Sequence, residues 1–312
     1  MFYVCVLSAV IGNSISSLAQ TAPASPFTLK PLGHNAYAAI TVAGAGAGGN
    51  AGVVIGEDGV LVIDSFQRTD PARVLLAEVR KLTPLPVKYV VNTHYHYDHV
   101  MGNGVFAEAG ATILAHENVR DWIHTENLKF FGANITAEQK NTVATLAAPS
   151  LVYSNGIDIF LGKRQVAARF FAGHTGGDTV VFDPESNTLF CGDLFWRHTL
   201  PNTIDATTSA WIETLDAMIQ HHPTAAFVSG HGDVGTVEDV KAFRGYLADL
   251  RQWVSEARAA GKTGDTAVDI VVPRIKEKYG DWASFNNFSR TNVLQTAAEL
   301  NGDKKIPRPT QK

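Results

Sequence analysis

Cysteine is scarce in this chain: two, Cys5 and Cys191, among 312 residues. That excludes a disulfide framework and a thiolate zinc site, both of which need several. Cys5 falls in a segment read below as removable, which leaves Cys191 as a lone thiol, by default a small buried hydrophobe. It precedes Asp193 by two residues and can share a strand face with it, but direct metal contact is the lesser reading. Long basic runs are also missing. With 26 Lys and Arg against 30 Asp and Glu, the formal charge is −4. No positive stripe points to a nucleic-acid partner. Lys304, Lys305 and Arg308 read as a solvated end. A membrane-spanning run is absent too. The apolar block at residues 2–12 falls short of the ~20 residues a transmembrane helix needs, so no stable membrane insertion is expected.

That block, followed by Ser17-Leu18-Ala19, resembles a secretory signal peptide cut near Ala19, although no Lys or Arg precedes Lys30. Thr21-Ala22-Pro23-Ala24-Ser25-Pro26 reads as a linker. The expected division is 1–26 signal peptide and linker, then one catalytic domain over 27–312, with a periplasmic or secreted location. The composition, 45% hydrophobic and 18% charged, is enough for a sizeable core.

Along that domain, short strands are expected at Phe27–Leu32, Ala36–Val42, Val53–Gly56 and Val60–Asp64. Glu57-Asp58-Gly59 forms the hairpin turn between the last two. The glycine run from Gly44 to Asn50 invites a phosphate-loop reading, but no Lys-Ser/Thr follows, so it reads as a mobile hairpin loop. Asp70 and Pro71 are placed to start a helix whose face is Leu75, Leu76, Val79 and Leu82. A buried strand, Val87–Val91, comes next. Beyond it are a helix near 100–109, a strand at Ala111–Ala115, a helix from about His116, and a capping box at Thr136–Gln139. Trp122, Phe130 and Phe131 lie in a less regular stretch suited to walling a pocket. A second block of strands fills 150–192. Helices follow at Trp211–Ile219, from Thr236 with Asp239 to about Ala260, at 265–279 and at 290–300, with one strand at Ala226–Ser229. This order fits two sheets face to face with helices outside.

The organising stretch is Asn92-Thr93-His94-Tyr95-His96-Tyr97-Asp98-His99. Three histidines and an aspartate crowd into six residues directly after an apolar strand. Imidazole and carboxylate are the ligands zinc takes where thiolates are absent. Alternation with period two puts His94 and His96 on one side and turns Tyr95 and Tyr97 away. Asp98 and His99, past the strand, can reach a second point nearby. Three later segments share one grammar, a strand end and then a metal-binding side chain beside glycine: Gly173-His174, Gly192-Asp193 and Gly230-His231. Each is weak alone. With the first loop they complete two coordination spheres.

His94-x-His96-x-Asp98-His99, then His174, Asp193 and His231, resembles the metallo-β-lactamase superfamily. The likeness runs from about Phe27 to about Gly235 and includes Asp64 at a strand end. The resemblance implies an α/β fold, an αββα sandwich of two mixed sheets with outer helices and the metals at one edge. It implies that His94, His96 and His174 hold the first zinc, that Asp98, His99 and His231 hold the second, and that Asp193 bridges them. A bridging carboxylate is the hydrolase pattern, where many true zinc β-lactamases carry another residue. The Gly192-Asp193-Leu194-Phe195 context is similar to the exported branch that includes quinoprotein-relay-type zinc hydrolases.

The expected chemistry is attack by a metal-bound hydroxide on the carbonyl of a small-molecule substrate: a cyclic amide such as a β-lactam, a lactone or an ester. Zinc lowers the pKa of its water to about 7. Asp98 is expected to orient the nucleophile and pass on its proton. Asp64 is either a partner that fixes an imidazole tautomer or a structural residue. Trp196 and His198, just past Asp193, are candidates to face the substrate, and His116 reads as a cap neighbour rather than a ligand. Two rivals use the same fold: a thioesterase resembling glyoxalase II, although Arg251, Arg258 and Lys262 form no evident basic cluster, and a sulfur dioxygenase with one Fe2+ in place of two Zn2+. The sequence sets no oligomeric state.

Overall fold

The structure, a computed structural model, describes residues 25–308. The expected leader, its cleavage site and Cys5 lie outside the described residues.

Thirteen strands form two sheets among the described residues. The first sheet runs in chain order: β1 (Phe27–Gly33), β2 (Ala36–Thr41), β3 (Ala51–Ile55), β4 (Val60–Ile63), β5 (Val87–Val91), β6 (Thr112–His116) and β7 (Leu151–Tyr153). Strands β1 to β4 are an antiparallel meander, and β4 to β7 are parallel. The second sheet contains β8 (Gly156–Leu161), β9 (Arg164–Phe170), β10 (Thr179–Asp183), β11 (Thr188–Phe190), β12 (Ala226–Val228) and β13 (Val234–Gly235). All its neighbours are antiparallel except β11 and β12.

Alternation along the strands builds the layers. On β3 and β4, Val54, Leu61 and Ile63 face the second sheet, where they meet Leu161, Val181 and Phe190. Their neighbours Val53, Val60 and Val62 face outward onto Leu75, Leu76 and Val79 of α1 (Thr69–Leu82). With both faces buried, these strands read as continuous apolar runs. The parallel crossovers carry α1, then α2 (Tyr97–Val100) and α3 (Asn103–Glu108), then α4 (Glu117–Trp122) and α5 (Ala137–Ala144). The far side of the second sheet is covered by α6 (Thr208–His221), α7 (Val237–Ala259), α8 (Asp265–Tyr279) and α9 (Phe285–Asn301), around Trp211, Phe227, Phe243 and Tyr246. The result is the expected αββα sandwich. No helix among the described residues is long and apolar enough to cross a membrane.

Local expectations divide. The Gly56–Gly59 turn closes, and Thr136 and Gln139 make their capping box. His116 is itself the cap of α4, accepting from the Asn118 N–H at 3.2 Å. Asp70 is not the cap of α1. The helix begins one residue earlier, and the Asp70 carboxylate instead takes the Arg68 guanidinium at 2.7 Å. Pro71 is therefore the third helical residue, where its missing N–H is still one that no helical carbonyl would have used. The last helix starts at Phe285 rather than near 290, because Ser284 enters it from the left-handed region at φ 60° and gives no side-chain cap to read.

Candidate metal centre

The predicted ligands come from segments just past strand ends at one edge of the sandwich, with Asp98 and His99 on α2. His94 and His96 leave β5, His174 follows β9, Asp193 follows β11, and His231 follows β12. The structure brings together His94, His96, His174 and Asp193 in one buried group, and Asp98, His99 and His231 in another. In each group the ligand atoms lie within 4.8 Å of one another.

Asp193 joins the two. Its Oδ2 stands 3.2 Å from His174 Nε2 and 3.6 Å from His94 Nε2. Its Oδ1 stands 3.1 Å from His99 Nε2 and 3.4 Å from His231 Nε2. His96 Nδ1 approaches His174 Nε2 at 3.0 Å, and Asp98 Oδ2 lies 3.2 Å from His231 Nε2. Two glycines make room. A Cβ on Gly230 would strike the Asp193 carboxylate, and one on Gly49 would strike the His99 ring. The glycine-rich segment is the expected hairpin loop, joining antiparallel β2 and β3, and its end is anchored: Gly49 packs under the site, and Asn50 donates to the carbonyls of Ser229 and Gly232 at 2.9 and 2.8 Å.

Outer partners fix the rings. Asp64 Oδ2 meets His99 Nδ1 at 2.8 Å, and the same carboxylate accepts from Thr93 N–H and Oγ1–H, each at 2.7 Å. Asp64 sits at φ +59°, a region that costs a non-glycine residue about 1 kcal/mol or more and that persists only where the surroundings impose it. Asp205, which carries no sequence signal of its own, holds His96. Its carboxylate lies 3.1 Å from His96 Nε2 and also accepts from the Tyr95 hydroxyl and, at 2.6 Å, from Lys129 Nζ. With Nε2 engaged, His96 presents Nδ1 to the centre.

The electrostatics are those of a site awaiting cations. Burial would raise the pKa of Asp193, but His231, His99 and its other imidazole neighbours hold it well below the carboxylate range. Burial likewise works against Asp98, yet His99 and His231 bring it to about 2. His231, which burial would push down, is lifted to about 9 by Asp193 and Asp98. Burial, then His99, keeps His94 uncharged well below the usual histidine value. His94 Nε2, His99 Nε2, His231 Nε2 and Asp193 Oδ1 are all buried, and none is aligned for a hydrogen bond to any described residue. Buried polar atoms are nearly always paired, so four such atoms converging on one space fit metal ligation. The donor set, imidazole and carboxylate without thiolate, suits zinc and also iron or manganese.

A cleft of about 350 Å3 opens onto these ligands, bounded by Tyr97, Phe130, Trp196, Ile204 and Phe288. Trp196 lies flat against His231, with ring centroids 4.0 Å apart. His198 does not line the cleft. It is exposed, rests against Trp282, and turns toward Asp239 at 3.7 Å. Tyr97 does face the cleft, against the alternation argument, because β5 has ended at Val91 and Tyr97 is the first residue of α2. Tyr95 points away as expected, its hydroxyl on Asp205. Of the proposed pocket wall, Phe130 faces the cleft, while Trp122 packs on Tyr95 and Phe131 on Tyr97.

Residues 44–231 match the model of the metallo-beta-lactamase superfamily. Among curated relatives, the linear primary-alkylsulfatase of Pseudomonas sp. (strain ATCC 19151) is 23% identical over 52% of this chain and 37% of its own length. The metallo-beta-lactamase type 2 of Pseudomonas aeruginosa is 23% identical over 61% of this chain and 69% of its own. A hydroxyacylglutathione hydrolase of Synechococcus sp. (strain JA-3-3Ab) is 27% identical over 42% of this chain and 44% of its own. The chain thus spans less than half the length of two of these relatives. Among solved structures, a metallo-beta-lactamase from Pontibacter korlensis aligns with a TM-score of 0.59 at 21% identity, over 71% of this chain and 99% of that one. This likeness is one of fold.

Proposed function

Because this chain belongs to the metallo-beta-lactamase superfamily, we propose that it is a dinuclear zinc hydrolase acting on the carbonyl of a small substrate. The observation that carries the reading is the set of unpartnered buried ligand atoms in two groups joined by Asp193. His94, His96 and His174 would hold one ion, Asp98, His99 and His231 the other, and Asp193 both. Bound there, zinc would supply Lewis acidity and water acidified to near neutrality.

The remaining work falls to the chain. Asp193 fixes the spacing of the two groups. Asp98 is ionised and lines the cleft, so its carboxylate is placed to accept a proton during attack. Asp64 and Asp205 set which nitrogen His99 and His96 present, a role whose loss commonly costs ten- to a hundredfold, as an order of magnitude of about 1–3 kcal/mol. Trp196 and Phe130 keep bulk water from the reacting end. The similarity to hydroxyacylglutathione hydrolases favours a thioester as the second reading, with the same residues in the same roles.

The test is elemental analysis together with turnover of lactone, ester, β-lactam and thioester substrates by the full chain. About two equivalents of zinc and hydrolysis that vanishes with chelation are expected. Asp193→Ala should lower kcat/KM more than about a hundredfold, beyond what losing an outer partner costs. One equivalent of iron, with oxygen consumption and no hydrolysis, overturns the proposal.

A further inference from the structure

The cleft over the ligands is finished by two segments outside the ligand loops. The start of α9 supplies Ser284, Asn287 and Phe288, and the segment before α6 supplies Asn202 and Ile204. Phe288 meets Trp196 edge to face at 6.1 Å between centroids. Facing them are Tyr97 and Phe130. Apart from the ligands, every lining side chain is aromatic, aliphatic, amide or hydroxyl. Among the described residues no Lys or Arg lines the cleft. Lys129 lies over the ring of Phe130 but is already committed: Asp205 at 2.6 Å, the Tyr95 hydroxyl at 3.2 Å and Glu126 at 3.3 Å. Arg197, next to Trp196, turns to Asp239 at 3.2 Å.

The neutral polar groups, in contrast, are free to serve. The side chains of Asn287 and Ser284 have no hydrogen-bond partner among the described residues. Asn202 uses only its Oδ1, which accepts from the Ile204 N–H at 2.9 Å. Small-molecule sites join apolar walls to a few such polar anchors, and about 350 Å3 sits near the small end of their range. A charge placed away from the metals in this cleft would give up part of its water against Ile204 and Phe288 and gain no counter-ion, which is unfavourable.

We propose that the substrate is an uncharged carbonyl compound, an ester or lactone with a short alkyl or aryl acyl part, anchored by Asn202 and Asn287, and that analogues with a remote carboxylate are rejected. This rests on the hydrolase reading for its chemistry. Water adds across the acyl C–O bond, its oxygen joins the carbonyl carbon, and its proton ends on the departing oxygen. Specificity of this kind comes from α9 and the 202–204 segment, not from the ligand loops.

The test pairs binding with turnover in the zinc-loaded full chain. Calorimetry compares butyranilide with succinanilic acid, the same anilide with its terminal methyl replaced by carboxylate. Butyranilide should bind at least about tenfold more tightly, since the acid must bury an unpaired charge. Ile204→Lys should shrink that preference severalfold by supplying the cation. Asn287→Ala, at an exposed position, should weaken butyranilide by about threefold or more. The inference is overturned if the acid binds as tightly as the neutral anilide, if neither binds, or if Ile204→Lys leaves the ratio unchanged, as it would for a carboxylate drawn only to the metals. Rates with 4-nitrophenyl butyrate and its succinate counterpart separate the two claims. Equal hydrolysis of both keeps the hydrolase and sinks the selectivity; the binding preference without ester turnover does the reverse.

Discussion

The two ends of the sandwich both bury charge, and they treat it in opposite ways. At the end where β9 starts and β10 finishes, Arg164 and Asp183 are buried as a pair. Arg164 Nε donates to Asp183 at 3.0 Å, Nη2 to the other carboxylate oxygen, and Nη1 to the carbonyls of Ile55, at 2.9 Å, and His34. The pair thus joins the second sheet to the β1–β2 turn and the end of β3. At the other end of the same strands, His94, His99, His231 and Asp193 bury atoms that touch one another at 3.1 to 3.6 Å but make no aligned hydrogen bond. The charge contacts among them only partly offset the loss of water, because each atom still lacks an aligned hydrogen bond. The satisfied end is built for the fold, and the unsatisfied end is held open for a ligand.

The sharpest way to break this contrast is to make the satisfied end resemble the other. Arg164→Met leaves the Asp183 carboxylate buried without its guanidinium. Removal of one partner of a buried pair costs about 3–5 kcal/mol, and urea unfolding should show a loss of that size. Replacing both partners, Arg164→Met with Asp183→Leu, should recover much of it, since an apolar pair of similar volume is often neutral. The activity of each folded molecule should be unchanged in both variants, because the pair lies at the far end from the ligands. A single variant no less stable than the parent would show that this charge pair does not join the sheets.

At the metal edge the informative residue is one that is satisfied. Asp205 ties His96 to Tyr95 and Lys129 while touching no ligand space itself. Asp205→Asn preserves the volume but weakens the hold on His96 Nε2, and the affinity for zinc should fall by about ten- to a hundredfold, or roughly 1–3 kcal/mol. The loss should appear in zinc titrations of the full chain whether or not any substrate is turned over. Unchanged zinc affinity would reduce Asp205 to a packing role and move the boundary of the site inward to its seven ligands.

Legibility in the sequence divides along the same line. The ligand loops could be read because their chemistry is local: His94 to His99 announce themselves by residue type, and glycine marks the other three turns. Asp64 was visible as a strand-end carboxylate, but only the fold shows it beside His99. The sandwich was readable because β3, β4 and β5 are short apolar runs with helices between them. Asp205 and Lys129 were not legible, since each is an ordinary residue until the chain brings it to His96 from a distance. Tyr97 escapes the alternation argument because β5 ends at Val91 and Tyr97 opens α2. His198 was placed at the pocket by its nearness to Asp193 in sequence, but its φ of +48° turns the chain outward. The body of α9, near 290–300, is legible as helix, while its first turn over the cleft is not, because Ser284 redirects the chain without a side-chain cap.

Glu299 tests the middle ground, a charge that is partly buried and partly satisfied. From the last turn of α9 it accepts from the N–H groups of Thr208 and Ser209 at the start of α6, at 2.9 and 3.2 Å, and pairs with Arg251 at 2.6 Å. A carboxylate at a helix N-terminus gains from both the free N–H groups and the helix dipole. Burial alone would raise the pKa of Glu299, but the Thr208 and Ser209 hydrogen bonds and Arg251 lower it below the ordinary 4.5. The folded chain therefore binds this proton less readily than the unfolded chain. The stabilisation is fully present above the ordinary value and drains away as the pH falls through the lower folded one. Glu299→Gln should cost about 1 kcal/mol at neutral pH, and the gap from the parent should close in urea unfolding as the pH falls below the ordinary carboxylate value and through the lower folded one. A gap that persists in acid would mean that α9 is held by its apolar face rather than by this carboxylate. The consequence reaches the cleft, because the helix whose last turn carries Glu299 places Asn287 and Phe288 over the ligands with its first.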